Sequence, residues 1–180
     1  MTDVKRIAIT GPESTGKSWL CKELALHYNT ACVPEYAREY IEGLQRDYSQ
    51  DDILQIARGQ LDRENRMADQ VERMQNRPLL FCDTELIVTK IWSLHKYKNC
   101  HPWILENIKS NNYDLFLLCD VDLPWEPDPQ REHPRLRTFF LDWYQRELEH
   151  YGFPFYLVSG KWNDRLQNAI EAVNNHFIKL

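Results

Sequence analysis

Apolar residues along this chain fall into two alternating kinds of run. Five are short: Arg6–Thr10, Ala31–Glu35, Pro78–Asp83, Asp114–Cys119 and Pro154–Ser159, four of them almost continuously apolar. Strands covered by helices on both faces read this way, whereas half-exposed antiparallel strands alternate. Between them apolar positions recur at helical spacing. One helix is predicted over Ser18–Tyr28. Another is capped by the Ser49-Gln50-Asp51-Asp52 segment and runs to about Gln75; a third carries the core stripe Leu166, Ile170, Val173 and Phe177. The charges of the second helix (Asp62, Arg63, Glu64, Arg66, Asp69, Glu72, Arg73) predict a solvated face. Strands alternating with helices predict an α/β fold, a parallel sheet flanked by helices. One stretch fits neither period. Leu123–Arg137 holds Pro124, Pro127, Pro129 and Pro134 with Asp128 and Arg131, and is expected to be a short lid over about 122–137.

Bulk properties narrow this picture. The 180 residues suit a single domain, 1–180, and 43% hydrophobic residues can fill its core. A formal net charge of −5 argues against non-specific nucleic-acid binding, though not against a local basic pocket for a small anion. No apolar run approaches the ~20 residues that span a bilayer, and no export signal opens the chain, so the expectation is a cytoplasmic protein with no membrane partner. The five cysteines lack metal-site spacing and are expected to be buried thiols. Oligomeric state is left open.

The sharpest local signal is Gly11-Pro12-Glu13-Ser14-Thr15-Gly16-Lys17-Ser18, which satisfies the phosphate-loop pattern between a strand and a helix. Its glycines let successive N–H groups converge on phosphate oxygens at a helix N-terminus. Lys17 is expected to span the β- and γ-phosphates of ATP, and the Ser18 hydroxyl to ligate magnesium. Two other strands end in carboxylates. Asp83 is placed to organise the metal or act as base, the competing reading being a helix N-cap. Glu35 would look into the same crevice, beyond the carboxyl ends of the strands, and could take a proton from an acceptor hydroxyl. Arg38, one helical turn on, can reach a transferred phosphate or simply pair with a neighbouring glutamate. Of Asp120 and Asp122, which follow the fourth strand, one is expected to hydrogen-bond backbone at the base of the lid, and neither is given a sharper role.

Four blocks together, the Glu-Ser-bearing phosphate loop, Glu35-Tyr36-Ala37-Arg38-Glu39, Cys82-Asp83-Thr84 and Pro124-Trp125-Glu126-Pro127-Asp128-Pro129-Gln130-Arg131, resemble the ribosylnicotinamide kinase domain of NadR-type bacterial proteins across essentially the whole chain. The resemblance implies a five-stranded parallel nucleotide-kinase fold, ATP and magnesium as cofactors, and phosphorylation of a small-molecule nucleoside, nicotinamide riboside. It implies nucleotide contacts from Gly11, Glu13, Ser14, Thr15, Gly16, Lys17, Ser18 and Trp162. It implies acceptor contacts from Glu35, Tyr36, Arg38, Asp83, Trp125 and Asp128, and catalytic roles for Lys17, Asp83, Glu35 and Arg131, the last closing over the triphosphate. The chain lacks the His-x-Gly-His motif of the adenylyltransferase part of such proteins, and Pro34 stands where they carry a tryptophan that stacks on pyridine. Other readings are a kinase for a different nucleoside or a small hydroxyl-bearing metabolite and, in another class, a nucleotide-dependent switch or ATPase; Ser159-Gly160-Lys161-Trp162 does not fit a guanine-binding motif.

Overall fold

The computed structural model describes residues 4–73, 79–110 and 112–177. Five strands, β1 (Lys5–Thr10), β2 (Ala31–Val33), β3 (Leu79–Asp83), β4 (Leu115–Cys119) and β5 (Phe155–Val158), form one sheet in the order β2-β3-β1-β4-β5. Every pairing is parallel. The helices between them are α1 (Lys17–His27), α2 (Tyr36–Glu42), α3 (Gln50–Glu72), α4 (Leu86–Tyr97), α5 (Pro102–Lys109), α6 (Arg137–Tyr151) and α7 (Asn163–Phe177). The predicted strands are all present, β1 longer by one residue and the other four shorter by one or two; Pro78 and the expected end of the long helix at Gln75 lie outside the described residues. The stretch between β4 and α6 is irregular, as its prolines require.

The near-continuous apolar runs are explained by two cores, one on each face of the sheet. Ile7, Ile9, Phe81, Leu115 and Leu117 point towards α1 and α7, where they meet Leu20, Leu24, Ile170 and Val173. Their alternates Ala8, Leu80, Cys82, Phe116 and Leu118 face α3, α4, α5 and α6, among Ile53, Ala57, Ile87, Ile104 and Leu148. Alternation is present, but each face finds apolar cover, so no polar residue marks it.

Helix α3 begins in a reciprocal cap. The Ser49 hydroxyl accepts the Asp52 N–H and the Asp52 carboxylate accepts the Ser49 N–H at 2.7 Å. Arg46 and the Ser49 hydrogen bonds hold the Asp52 carboxyl well below the usual range. Two expectations are corrected here. Cys21 of α1 and Cys32 of β2 are joined as a disulfide, their Cα atoms 5.8 Å apart, whereas Cys82, Cys100 and Cys119 are buried thiols. And Glu64 is not on a solvated face: it falls on the buried stripe of α3 with Ile53, Ala57, Gln60, Ala68 and Val71, fully enclosed.

Glu64 accepts hydrogen bonds from Gln60 Nε2 and Tyr113 Oη, each 2.8 Å, and burial pushes its carboxyl up to about 7. In the unfolded chain the same group titrates near its ordinary value of 4.5. The folded state therefore holds the proton longer, and stability is lost as pH rises from about 4.5 to about 7, by up to about 3 kcal/mol. Glu85, also raised by burial to about 7, adds a second loss over the same window. Glu64→Gln removes one of the two. Its urea midpoint, relative to wild type, should climb between pH 4.5 and 7 and stay level above; a difference that does not change with pH would refute this account.

Candidate active site

The loop between β1 and α1 curls because its glycines adopt backbone angles closed to other residues. Gly11 has φ 126° and Gly16 φ 77°. A Cβ on Gly11 would sit 2.9 Å from the Cys119 carbonyl oxygen, so the loop also packs directly on the end of β4. Thr15 Oγ1 donates to the Pro12 carbonyl at 2.8 Å, and Lys17 Nζ donates to the same carbonyl at 2.7 Å. The lysine is thus folded back across the mouth of the loop at the first turn of α1, where backbone N–H groups and the helix dipole favour an anion.

Asp83 ends β3 beside this loop. It is 3% exposed, the Ser18 hydroxyl hydrogen-bonds it, and Lys17, Lys22 and Arg38 pull its ionisation down, yet burial prevails and its carboxyl lies above the usual range. Its Oδ1 is the sole buried side-chain oxygen or nitrogen without a hydrogen-bond partner among the described residues. The helix-cap alternative fails, because the N-cap of α4 is Glu85, whose carboxylate accepts the Ile87 N–H and a 2.8 Å bond from Thr10 Oγ1. An unspent carboxylate oxygen next to a serine hydroxyl, on the rim of a phosphate loop, is a donor set that suits a small hard cation such as magnesium.

Glu35 ends the β2 segment and precedes α2, with no capping bond of its own. Burial raises its carboxyl, as does the negative charge of Asp83, while Lys17 and Arg38 oppose the rise. The two carboxylates therefore share one field with the loop lysine. Arg38 is held by Asp128 Oδ2 at 3.1 Å and, more loosely, by Glu42 at 4.0 Å. Arg38 thus pairs with a neighbouring glutamate, as one of its two readings expects, and with Asp128 of the lid.

The lid lies against the loop. Arg131 Nη1 hydrogen-bonds the Glu126 carbonyl and stands 3.5 Å from Ser14 Oγ. At the lid's base the Asp122 carboxylate accepts the Gly160 N–H and pairs with Arg165, a fully buried guanidinium that also binds the Val158 and Gly160 carbonyls. Asp120 Oδ1 accepts the Val121 N–H at 2.7 Å. Trp162, 48% exposed, meets Trp19 edge to face at 5.3 Å beside the start of α1.

A cavity of about 520 Å³ opens here, lined by the phosphate loop, Glu35, Arg38, Arg131 and Trp162. Tyr36 does not line it. Its backbone N–H donates to Gln60 Oε1, its ring lies so close over Gly59 that a Cβ there would collide, and Arg63 covers its face at 4.7 Å. Trp125 is also outside the lining, with the Arg137 guanidinium 5.8 Å from its ring centroid, and so is Asp128, which pairs with Arg38 and accepts the Gln130 N–H at 2.9 Å. The far wall is one that sequence reading did not assemble: Tyr48, Trp92, His95, His133, Phe140 and Tyr144. Trp92 Nε1 donates to Tyr48 Oη at 3.0 Å and the two rings meet edge to face at 4.9 Å. Trp92, with Tyr36 and Tyr40, is one of the aromatics from which the sequence could draw a substitute for the stacking tryptophan absent at Pro34, and of the three it alone lines the cavity.

Comparison with known proteins gives a consistent set. The AAA domain family matches residues 6–165. The trifunctional NAD biosynthesis/regulator protein NadR of Salmonella typhimurium strain LT2 is 29% identical over 134 residues, covering 71% of this chain and 31% of its own length. The crystal structure of NadR in complex with NR superposes with a TM-score of 0.82 at 25% identity, over 96% of this chain and 51% of that one. NadR in complex with NAD and AMP-PNP gives 0.76 at 26% identity, over 96% and 49%. The chain thus spans about a third of the curated relative it matches and about half of the solved ones.

Proposed function

The chain belongs to the AAA domain family, and on that footing we propose that it is an ATP-dependent kinase that phosphorylates nicotinamide riboside to the mononucleotide. One observation carries the reading: Glu35, Lys17, Ser18 and Arg38 line a cavity of about 520 Å³, and Asp83, buried behind that lining and hydrogen-bonded by the Ser18 hydroxyl, acts electrostatically on Glu35. NadR structures with NR and with an ATP analogue superpose on the same fold.

In this reading the phosphate loop and Lys17 hold the triphosphate, and Ser18 and Asp83 hold magnesium. The bound ion would neutralise charge on the phosphate oxygens. An acceptor hydroxyl oxygen forms the bond to the γ-phosphorus as the bond to the β–γ bridging oxygen breaks, and the hydroxyl proton passes to the Glu35 carboxylate. A raised carboxyl is suited to holding a proton that an ordinary glutamate would shed. Arg38 and Arg131 balance the charge developing on the phosphoryl group in flight.

The acceptor ring needs an aromatic face, worth up to ~2 kcal/mol for a desolvated cation. Pro34 is exposed and outside the cavity, so it does not supply one. We assign that face to Trp92, braced by Tyr48. Trp92→Ala should raise the KM for nicotinamide riboside on the order of tenfold with kcat largely kept, and Trp92→Phe should recover most of it. An unchanged KM would remove the assignment.

The test of the function itself is a nucleoside panel, nicotinamide riboside included, incubated with ATP and magnesium and read for both ADP and phosphorylated product. Efficient turnover of another nucleoside while nicotinamide riboside is ignored would leave a kinase with a different acceptor. Acceptor-independent hydrolysis alone would favour the switch or ATPase.

A further inference from the structure

The phosphate-loop pattern leaves four positions free between its glycines, and in this chain they are not equivalent. Thr15 turns inward to the Pro12 carbonyl. Glu13 and Ser14 turn the other way, to the lid. The Glu13 carboxylate accepts the Glu132 N–H at 3.1 and 3.2 Å and the His133 N–H at 3.0 Å. Ser14 Oγ accepts the Glu126 N–H at 2.8 Å, and its carbonyl accepts from Arg137 Nη1 at 3.1 Å. Arg137 also donates to the Leu123 carbonyl, so both ends of the lid are tied to the same two residues.

Two further facts show that this is a built contact. Ser14 has φ 56°, a left-handed conformation that a non-glycine residue keeps only where its surroundings over-determine it. And Glu13 places a negative charge in a loop whose task is to attract anions, which is tolerable only if the carboxylate is turned away and satisfied elsewhere. Two lid N–H groups do that. Arg131, which stands between the two attachment points, is brought to the loop by them.

We propose that Glu13 and Ser14 are a latch: positioning residues through which the loop that grips the triphosphate also holds the lid shut and sets Arg131 over the phosphates. This deepens the kinase reading and rests on it for its catalytic consequence. It also replaces direct nucleotide contact as the role of the Glu13 side chain. Loop and lid are then one coupled unit: ordering the loop around phosphate favours lid docking, and lid docking tightens the loop to the same degree.

The experiment has two arms. Without any acceptor, trypsin cleavage at Arg131 and Arg135 reports lid opening. AMP-PNP should protect these sites in the wild-type protein and fail to protect them in Glu13→Ala, with AMP-PNP still bound. Protection that survives the substitution overturns the latch. The coupling allows the AMP-PNP Kd to rise by no more than the factor by which AMP-PNP protects the wild-type lid; a greater loss of binding in a variant of normal Tm also overturns the latch, since it would make Glu13 a nucleotide ligand. With acceptor, Glu13→Ala and Arg131→Ala should each lower kcat by about tenfold or more, and the double variant should fall no lower than Arg131→Ala alone. Losses that multiply overturn the proposal. Glu13→Gln, which keeps one accepting oxygen, should fall between wild type and Glu13→Ala. If nicotinamide riboside is not turned over but the protection pattern holds, the acceptor assignment fails and the latch stands.

Discussion

Replacing Lys17 with alanine should cut phosphoryl transfer by about a thousandfold while leaving the thermal unfolding midpoint within a few degrees of wild type. The two halves follow from one feature of the site. Lys17 is half-buried at the first turn of α1, and its ammonium donates to the Pro12 carbonyl at 2.7 Å, a contact that adds little to a fold held by two apolar cores. In the reaction that ammonium would leave the carbonyl for the β- and γ-phosphate oxygens, where charge shifts during transfer. A preorganised cation there, away from bulk water, supplies several kcal/mol. Lys17→Arg should not rescue, because the planar fork cannot occupy the space of a point charge inside the loop. A Lys17→Ala protein with near-normal turnover would dispose of the phosphotransfer mechanism.

The second large effect separates the two carboxylates. Asp83→Asn keeps the shape and removes the charge next to Ser18, so the magnesium concentration for half-maximal activity should rise tenfold or more. Glu35→Gln should lower kcat by about a hundredfold to ten-thousandfold with ATP affinity kept, the range that loss of a general base produces. Their coupling adds a pH signature. Because the Asp83 charge helps raise the Glu35 carboxyl, the acid limb of the wild-type rate profile should lie above the usual glutamate range, and Asp83→Asn should move it to lower pH. Equal losses of ATP affinity in the two variants, or an acid limb that does not move, would show that the division of labour is drawn wrongly.

How much of this was legible beforehand depended on sequence distance. The phosphate loop was plain because eight consecutive residues carry it, and the strand ends Glu35 and Asp83 because each follows its own apolar run. The lid announced itself through four prolines. Glu64 was misplaced because its charge outweighed its position: it lies on the buried stripe of α3, where Gln60 one turn before it and Tyr113 from 49 residues away satisfy its two oxygens. Tyr36 was misplaced for a different reason. The family resemblance implied an acceptor contact, but the gap left by Gly59 on α3 captures its ring. Of the aromatic wall only Trp92 was within reach of the sequence, since Tyr48, Trp92 and Phe140 come from a loop and two helices that meet only in three dimensions. The pairing of Cys21 with Cys32 likewise depends on α1 folding back onto β2.

The strand that delivers the phosphate loop is the middle one of the sheet, and this has a kinetic consequence. β1 pairs with β3 and β4 but with no strand adjacent to it in sequence: Ile7 lies opposite Phe81 on one side and Leu115 on the other. No hairpin is available to nucleate such a sheet, so folding must wait for contacts that close long loops, which is slow. Synthesis makes the phosphate loop well before the strands on either side of β1 that support it. Gly11 needs the Cys119 carbonyl against which to close, so some 110 further residues must emerge before the loop has its shape. Nucleotide should then bind only the finished sheet. At a concentration 100 times its Kd it would add about 2.7 kcal/mol to the native state, making ATP a late-acting stabiliser of newly made protein.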